Sequence, residues 1–237
     1  MADRVEPMLL LIADISGYTK YLVRNANELA HAQLMLTSLL EAVLRRARLP
    51  LRIAKIEGDA VFMYALAGDP AHWSRDRLVV RSRLAEFQRL FGERIQLLQA
   101  HHTCQCGACQ NLSSLTIKFI VHFGQALQHR VGRYRELAGP DVILLHRLLK
   151  NSVPERSYVL ATAAADRELE LSQLAPLHAL SESVDEFGEV ALVWTPELPR
   201  TAEPAPTGLR GWLAAKIAMM WAMLRAGRRT FRELPVE

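Results

Sequence analysis

The sequence has little cysteine and no long apolar run. Its three cysteines lie within six residues of one another, and an odd, clustered set of cysteines is not a disulfide framework. The apolar run Met8–Ala13 near the N-terminus is short and lacks the small-residue cleavage motif of a signal peptide. These absences predict a reduced, cytoplasmic protein.

Net charge is absent from most of the chain. Residues 1–208 hold 23 basic and 23 acidic side chains, so the formal net charge of +4 lies entirely in the last 29 residues. Binding to nucleic acid depends on neutralising phosphates with basic side chains. A neutral main domain therefore argues against nucleic acid as a partner.

Apolar residues make up half of the chain, which is enough for a globular core. Their pattern predicts the order strand, helix, two strands, helix, strand, helix, strand, which contains a ferredoxin-like βαββαβ unit. We therefore predict an α/β (α+β) domain over residues 1–195. A Pro-rich linker over 196–208 and a basic C-terminal helix over 209–237 are expected to follow.

The periodicity also gives approximate bounds for these elements. The predicted strands are Met8–Ala13, Leu51–Ile56, Ala60–Leu66, Leu115–Phe123 and Ser157–Thr162, with a final hairpin over Val184–Trp194. The predicted helices are Asn27–Ala47 with Asn27 as its cap, Ser74–Gln99, Pro140–Asn151 and Ala163–Leu174.

Two aspartates stand at the ends of neighbouring predicted strands. Asp14 follows the first strand, and Asp59 lies in the turn of the hairpin that a βαββαβ sheet places beside it. Hard divalent cations such as Mg²⁺ take oxygen ligands and share them with substrate phosphates. Taken alone, both residues are more typical of ordinary turns than of a metal site.

The sequence around each aspartate resembles class III adenylyl and guanylyl cyclases. Asp14–Thr19 resembles the motif after the first cyclase strand, in which Asp is followed by an aliphatic residue, any residue, Gly, an aromatic residue and Thr. Lys55–Ala60 is similar to the cyclase hairpin, in which Gly-Asp carries the second metal ligand. His122–Gly124 and Gly139–Arg147 look like the next strand end and the substrate helix, so the resemblance spans about residues 8–195.

The resemblance implies a two-metal site that makes a cyclic nucleotide and pyrophosphate from a nucleoside triphosphate, with ATP as the expected substrate. Two Mg²⁺ or Mn²⁺ ions would bind Asp14, Asp59 and the carbonyl of Ile15. Arg147 would stabilise the transition state, and Lys55 and Glu136 would read the base. Backbone N–H groups in a phosphate turn would bind the triphosphate; this turn comprises Ser16, Gly17, Tyr18 and Thr19.

In cyclases the two halves of such a site come from different chains of a head-to-tail dimer, so the resemblance also implies a homodimer. The sequence departs from the family at two positions. Ile143 stands where the family has an Asn, and the loss of one such hydrogen-bond donor can cost on the order of 10²–10³ in rate. Ala191 stands where the family has a triphosphate-binding Lys. Three hypotheses stay open: a cyclase of weak or unusual activity, an inactive module that binds nucleotide and metal or a partner protein in signalling, and a zinc- or redox-controlled membrane adaptor for which the cyclase fold is only a scaffold.

A loop over residues 101–111 concentrates metal-binding residue types. Thiolates and imidazoles suit tetrahedral Zn²⁺, and Cys106 and Cys109 have the spacing of a zinc knuckle. A reversible disulfide between these two residues, or reduced thiols that bind nothing, are the alternatives. The candidate zinc ligands are Cys104, Cys106 and Cys109 with His101 or His102.

The C-terminal segment Gly211–Leu224 is almost entirely apolar, with Lys216 as its only charge. Its fourteen residues are too few to cross a bilayer, which needs about 20. Because Arg residues cluster directly after it, the segment is typical of a helix that lies on the inner membrane surface. Docking of this helix on the main domain or on a dimer partner is the alternative.

Overall fold

The computed structural model describes residues 4–101 and 104–196, together with Ile217 and Trp221. The predicted linker and C-terminal helix lie outside the described residues, apart from Pro196, Ile217 and Trp221. Within the described part of the chain, no helix is long and apolar enough to cross a membrane.

A mixed sheet of eight strands forms the centre of the described structure, in the order β2-β3-β1-β4-β6-β8-β7, with β5 paired to β4. Neighbouring strands are antiparallel except for the parallel pair β4 and β6. The strands are β1 Arg4–Ser16, β2 Arg52–Glu57, β3 Ala60–Leu66, β4 Thr116–Val131, β5 Tyr134–Ala138, β6 Tyr158–Thr162, β7 His178–Val184 and β8 Gly188–Pro196.

Helices connect these strands and cover both faces of the sheet. The predicted fold class is confirmed, because β1, α2, β2, β3, α3 and β4 follow one another as a βαββαβ unit. The helices of the described residues are α1 Tyr18–Arg24, α2 Leu29–Leu44, α3 Pro70–His101, α4 Gly107–Gln110, α5 Pro140–Arg147 and α6 Ala163–Leu169.

Strand β1 is buried on both faces, which explains its uninterrupted apolar sequence. Leu9 and Leu11 pack with α2 and α3 in one core cluster, whereas Leu10 and Ile12 pack on the opposite face with α5. Because side chains alternate along a strand, Asp14 continues the α5 face of β1. This alternation places a carboxylate at the end of a central strand.

Two predicted helix starts differ from the structure. Asn27 does not cap α2, since a 3₁₀ turn over Ala26–Glu28 comes first and α2 begins at Leu29. Helix α3 begins at Pro70 rather than Ser74, because Asp69 caps it: the N–H of Ala71 donates a hydrogen bond to Asp69 Oδ1 at 2.9 Å.

The predicted final hairpin starts too late. Its first strand, β7, ends at Val184, where the prediction has it begin, and Gly188 is the first residue of β8. The turn itself consists of residues 185–187. This turn contacts the candidate site described next.

Candidate active site at the end of β1

Asp14 and Asp59 lie side by side. Asp14 pairs with Ala60 across the β1–β3 ladder, which brings the β2–β3 turn next to the end of β1. The N–H of Ile15 donates to the Asp59 carbonyl at 3.3 Å, so the two aspartates lie next to each other at the end of the β1–β3 ladder. Gly58 makes this tight turn with a φ of 62°, a conformation that favours glycine.

The environment of this carboxyl pair favours a cation. Burial and the neighbouring charge of Asp14 raise the pKa of Asp59 to about 6. Two close carboxylates repel each other, and a divalent cation between them relieves that repulsion with the oxygen ligands that Mg²⁺ and Mn²⁺ prefer. The donor set therefore fits such an ion.

Sequence reasoning missed Lys118, which extends from β4 to the same pair. Its Nζ lies 3.1 Å from Asp14 Oδ2 and donates to the Leu149 carbonyl at 3.0 Å. Lys118 pairs with Asp14 in the β1–β4 ladder. The signal in the sequence was a charged residue between Ile117 and Phe119, both of which are buried.

The predicted phosphate turn, residues 16–19, connects β1 to α1. Gly17 has a φ of 92°, and a Cβ there would lie 2.7 Å from Arg156 Nη2, so no other residue fits without movement. A cavity of about 370 Å³ opens beside Gly17, and its lining includes Lys20, Arg24 and Arg156. Guanidinium and ammonium groups around a glycine turn are suited to phosphate oxygens. The sequence motif gave no indication of these cationic side chains.

The other predicted site residues divide between a second cavity and strand β5. A cavity of about 790 Å³ on the α5 face of the sheet brings together Lys55 from β2 with Ile143 and Arg147 from α5. Glu136 lies on β5 opposite His129 and is not among the described residues that line this cavity. The structure thus groups Lys55 with Arg147 but not with Glu136.

Two of the cations that line the second cavity, Arg147 and Lys55, already have acidic or carbonyl partners. Arg147 Nη1 donates to the Asp185 carbonyl at 2.6 Å and forms an ion pair with Glu186. Lys55 Nζ lies 2.6 Å from Glu57 Oε1. A substrate at this cavity would have to compete with the β7–β8 turn for Arg147.

The His122–Gly124 patch has a structural role. His122 is buried, with Nδ1 2.9 Å from Thr162 Oγ1 and Nε2 3.0 Å from Asp141 Oδ1. The N–H of Gln125 donates to Asp141 Oδ2 at 2.6 Å. A Cβ at Gly124 would lie 2.3 Å from this carboxylate, so the glycine permits α5 to pack against β4.

The three cysteines of the loop over residues 101–111 lie close to His31, a histidine that the sequence analysis did not identify. The ligand atoms of His31, Cys104, Cys106 and Cys109 all lie within 4.8 Å of one another. This cluster corrects the prediction of His101 as the fourth ligand. His101 ends α3 with its side chain buried outside the cluster, whereas α2 directs His31 towards the thiols. The predicted alternative, His102, lies outside the described residues.

Solved structures of nucleotide cyclases share this fold. The adenylyl cyclase CyaB from P. aeruginosa has a TM-score of 0.60 at 17% identity, over 88% of this chain and 100% of that one. The guanylyl cyclase Cya2 has a TM-score of 0.56 at 14% identity, and the match covers 88% of this chain and 100% of that one. A bacterial light-regulated adenylyl cyclase has a TM-score of 0.57 at 12% identity, and the match covers 94% of this chain but 58% of that longer chain. The described domain therefore has the fold of an adenylyl or guanylyl cyclase catalytic domain.

Comparison of the amino-acid sequence with family models identifies the family of this chain. The chain belongs to the family described as "Protein of unknown function (DUF2652)", whose model matches residues 36–158. A relative in Mycobacterium tuberculosis, "Uncharacterized protein Rv2561/Rv2562", is 33% identical over 156 residues, which cover 66% of this chain and 70% of the relative.

Proposed function

We propose that this protein is a class III cyclase-like enzyme that binds a nucleoside triphosphate, with ATP as the expected substrate, and converts it to a 3′,5′-cyclic nucleotide and pyrophosphate. The observation that carries this proposal is the adjacent pair Asp14 and Asp59 at the end of β1. Both cyclase motifs lead to this pair in the sequence, and the cyclase fold supports the same assignment.

Asp14 and Asp59, with the Ile15 carbonyl, would hold two Mg²⁺ or Mn²⁺ ions. When bound, such ions supply positive charge at the attacking and leaving oxygens of a phosphoryl transfer. The ammonium group of Lys118, 3.1 Å from Asp14 Oδ2, holds that carboxylate in place and adds positive charge to the site.

The residues of the chain would position the substrate. The phosphate turn of Ser16, Gly17, Tyr18 and Thr19 would bind triphosphate oxygens through its N–H groups, supported by the cationic cavity beside Gly17. Lys55 would read the base, and Arg147 would stabilise the charge that develops as the ribose 3′-oxygen bonds to the α-phosphorus and pyrophosphate leaves. Positioning and electrostatics of this kind carry most of the catalysis in phosphoryl transfer.

We further propose that the active form is a homodimer. The carboxylate pair and the cavity with Lys55 and Arg147 would then meet across the dimer interface. An exposed apolar side chain at this cavity supports the proposal, since Ile143 is 51% exposed on α5. One related guanylyl cyclase domain is described as a non-canonical dimer.

A second candidate function is a binding module that does not turn over nucleotide. Ile143 lines the cavity at the position where class III cyclases have an Asn. Its apolar side chain offers no hydrogen bond to a substrate. The contacts of Arg147 with Asp185 and Glu186 also oppose a catalytic role in this conformation. This candidate keeps the same nucleotide and cation site.

Turnover separates the two functions. Purified protein is incubated with ATP, GTP, CTP and UTP, each with Mg²⁺ or Mn²⁺, and the products are identified by mass. We expect a cyclic nucleotide that disappears in Asp14→Asn and Asp59→Asn but persists in Asp76→Asn, a matched change on α3. Absence of any cyclic product, with cation-dependent nucleotide binding retained, would reject the enzyme in favour of the binding module.

A further inference from the structure

The cysteine loop cluster consists of His31, Cys104, Cys106 and Cys109, whose ligand atoms all lie within 4.8 Å of one another. Cys104 Sγ and Cys106 Sγ each lie 3.5 Å from His31 Nδ1. In a tetrahedral zinc site with Zn–S near 2.3 Å and Zn–N near 2.0–2.1 Å, sulfur and nitrogen ligands are roughly 3.6 Å apart. Both measured distances match that tetrahedral edge.

Two separate segments supply these donors, and backbone hydrogen bonds fix the loop. The N–H of Cys106 donates to Cys104 Sγ at 3.4 Å, the kind of contact that orients a metal-binding thiolate. The N–H groups of Cys109 and Gln110 both donate to the Cys106 carbonyl at 3.1 Å. The resulting turn leads into α4 and directs the sulfurs towards His31 on α2.

We propose that His31, Cys104, Cys106 and Cys109 bind one structural Zn²⁺. All three cysteines are free, and Cys109 is fully buried. Three soft thiolates and an imidazole select Zn²⁺ over the hard cations expected at Asp14 and Asp59. Four protein ligands leave no open coordination position, which is typical of a structural rather than a catalytic zinc site.

This zinc site joins parts of the fold that are far apart in sequence. Besides His31 on α2, the loop contacts α1, because the Tyr21 hydroxyl donates to the Ala108 carbonyl at 2.6 Å. A Cβ at Gly107 would lie 2.7 Å from Asn25 Oδ1, so the loop packs closely against the end of α1. The ion would therefore fasten the α3–β4 connection to α1 and α2. This inference does not depend on the proposed nucleotide chemistry.

The test is the metal content of the full chain, purified without a polyhistidine tag and analysed by mass spectrometry for metals. We expect about one zinc per chain, as four ligands around one ion require. His31→Ala and Cys106→Ser should lose most of this zinc. His72→Ala, a change at an exposed histidine on α3, should retain it. Removal of the zinc by a chelator should lower the Tm of the wild type.

Cobalt substitution keeps the proposal testable if those variants fail to fold. Wild-type protein loaded with Co²⁺ should show a thiolate-to-cobalt charge-transfer band and the ligand-field bands of a tetrahedral ion. Its thiols should react slowly with Ellman's reagent until a chelator is added. Protein that takes up neither zinc nor cobalt, or a disulfide between Cys106 and Cys109 in anaerobically purified protein, would overturn the proposal.

Discussion

Asp59 changes protonation near neutral pH because its carboxyl is half-buried beside Asp14. Its pKa is raised to about 6, and a cation binds the ionised form, so cation affinity should be lost as the pH falls through that value. The ionised fraction drops about 10-fold between roughly pH 7 and pH 5 for such a group. We expect Mn²⁺ affinity, measured by titration calorimetry, to fall by about the same factor.

A backbone hydrogen bond at Asp59 and, after it, the charge of Lys118 on β4 both lower the pKa of Asp59 and so oppose the effects of burial and Asp14. Asp59→Asn removes the titrating group and should give weak Mn²⁺ binding with little pH dependence over this range. A wild-type affinity that stays constant from about pH 7 to pH 5 would contradict the assignment of Asp59 as a cation ligand.

Ile143 is one of the two positions at which the sequence departs from the cyclase pattern. Because its side chain is 51% exposed in the cavity, replacing it by a polar residue costs little folding free energy. Ile143→Asn restores a hydrogen-bond donor and should raise the rate of cyclisation by on the order of 10². Ile143→Leu is the matched control and should leave the rate unchanged. An equal rate in both variants would show that α5 does not present this position to the substrate.

At the residue scale, sequence motifs predicted the two aspartates but not the side chains that meet them through the fold. Lys118 reaches Asp14 only through the register of β1 and β4. His31 lies 73 residues from Cys104, alone on a helix, where no local spacing points to a metal. Which residues meet is set by tertiary packing, so no local pattern in the sequence pairs Lys118 with Asp14 or His31 with the cysteines.

The elements of the fold were predictable where the pattern of burial is simple. Strands β2 and β3 were predicted within a residue, because two β-rich runs flank a short glycine turn. Strand β5 was missed because none of its residues is buried, so it carries no apolar pattern. The two short helices α1 and α4 are also set by their surroundings rather than by periodicity.

Two glycines test the packing of the elements that support the site. Gly124→Ala on β4 places a Cβ 2.3 Å from the Asp141 carboxylate of α5 and should lower the free energy of unfolding by about 1–3 kcal/mol. Gly92 lies within α3, where an added Cβ would meet nothing within 4 Å. Gly92→Ala should therefore raise the free energy of unfolding by about 0.5–1 kcal/mol. Chemical denaturation of both variants measures the difference. Equal stability of the two would contradict the close contact between β4 and α5.

At the scale of the whole molecule, the proposed homodimer divides each site between two chains. Asp14→Asn and Arg147→Ala should each be inactive alone. When they are mixed and allowed to exchange subunits, each mixed dimer regains one intact site, so random pairing should restore about a quarter of the wild-type activity. Recovered cyclic product measures this complementation. No recovery, with subunit exchange verified, would place both halves of the site in one chain.

Asp14 and Asp59 are proposed to hold divalent cations for a nucleoside triphosphate, whether or not the protein turns it over. The most direct measurement is calorimetric binding of a non-hydrolysable triphosphate analogue with and without Mn²⁺. We predict binding that requires Mn²⁺ and weakens at least about 10-fold in Asp14→Asn and Asp59→Asn, as loss of a ligand to the cation implies, but not in Asp76→Asn. Binding that is independent of Mn²⁺, or equal affinity in all four proteins, would contradict the account.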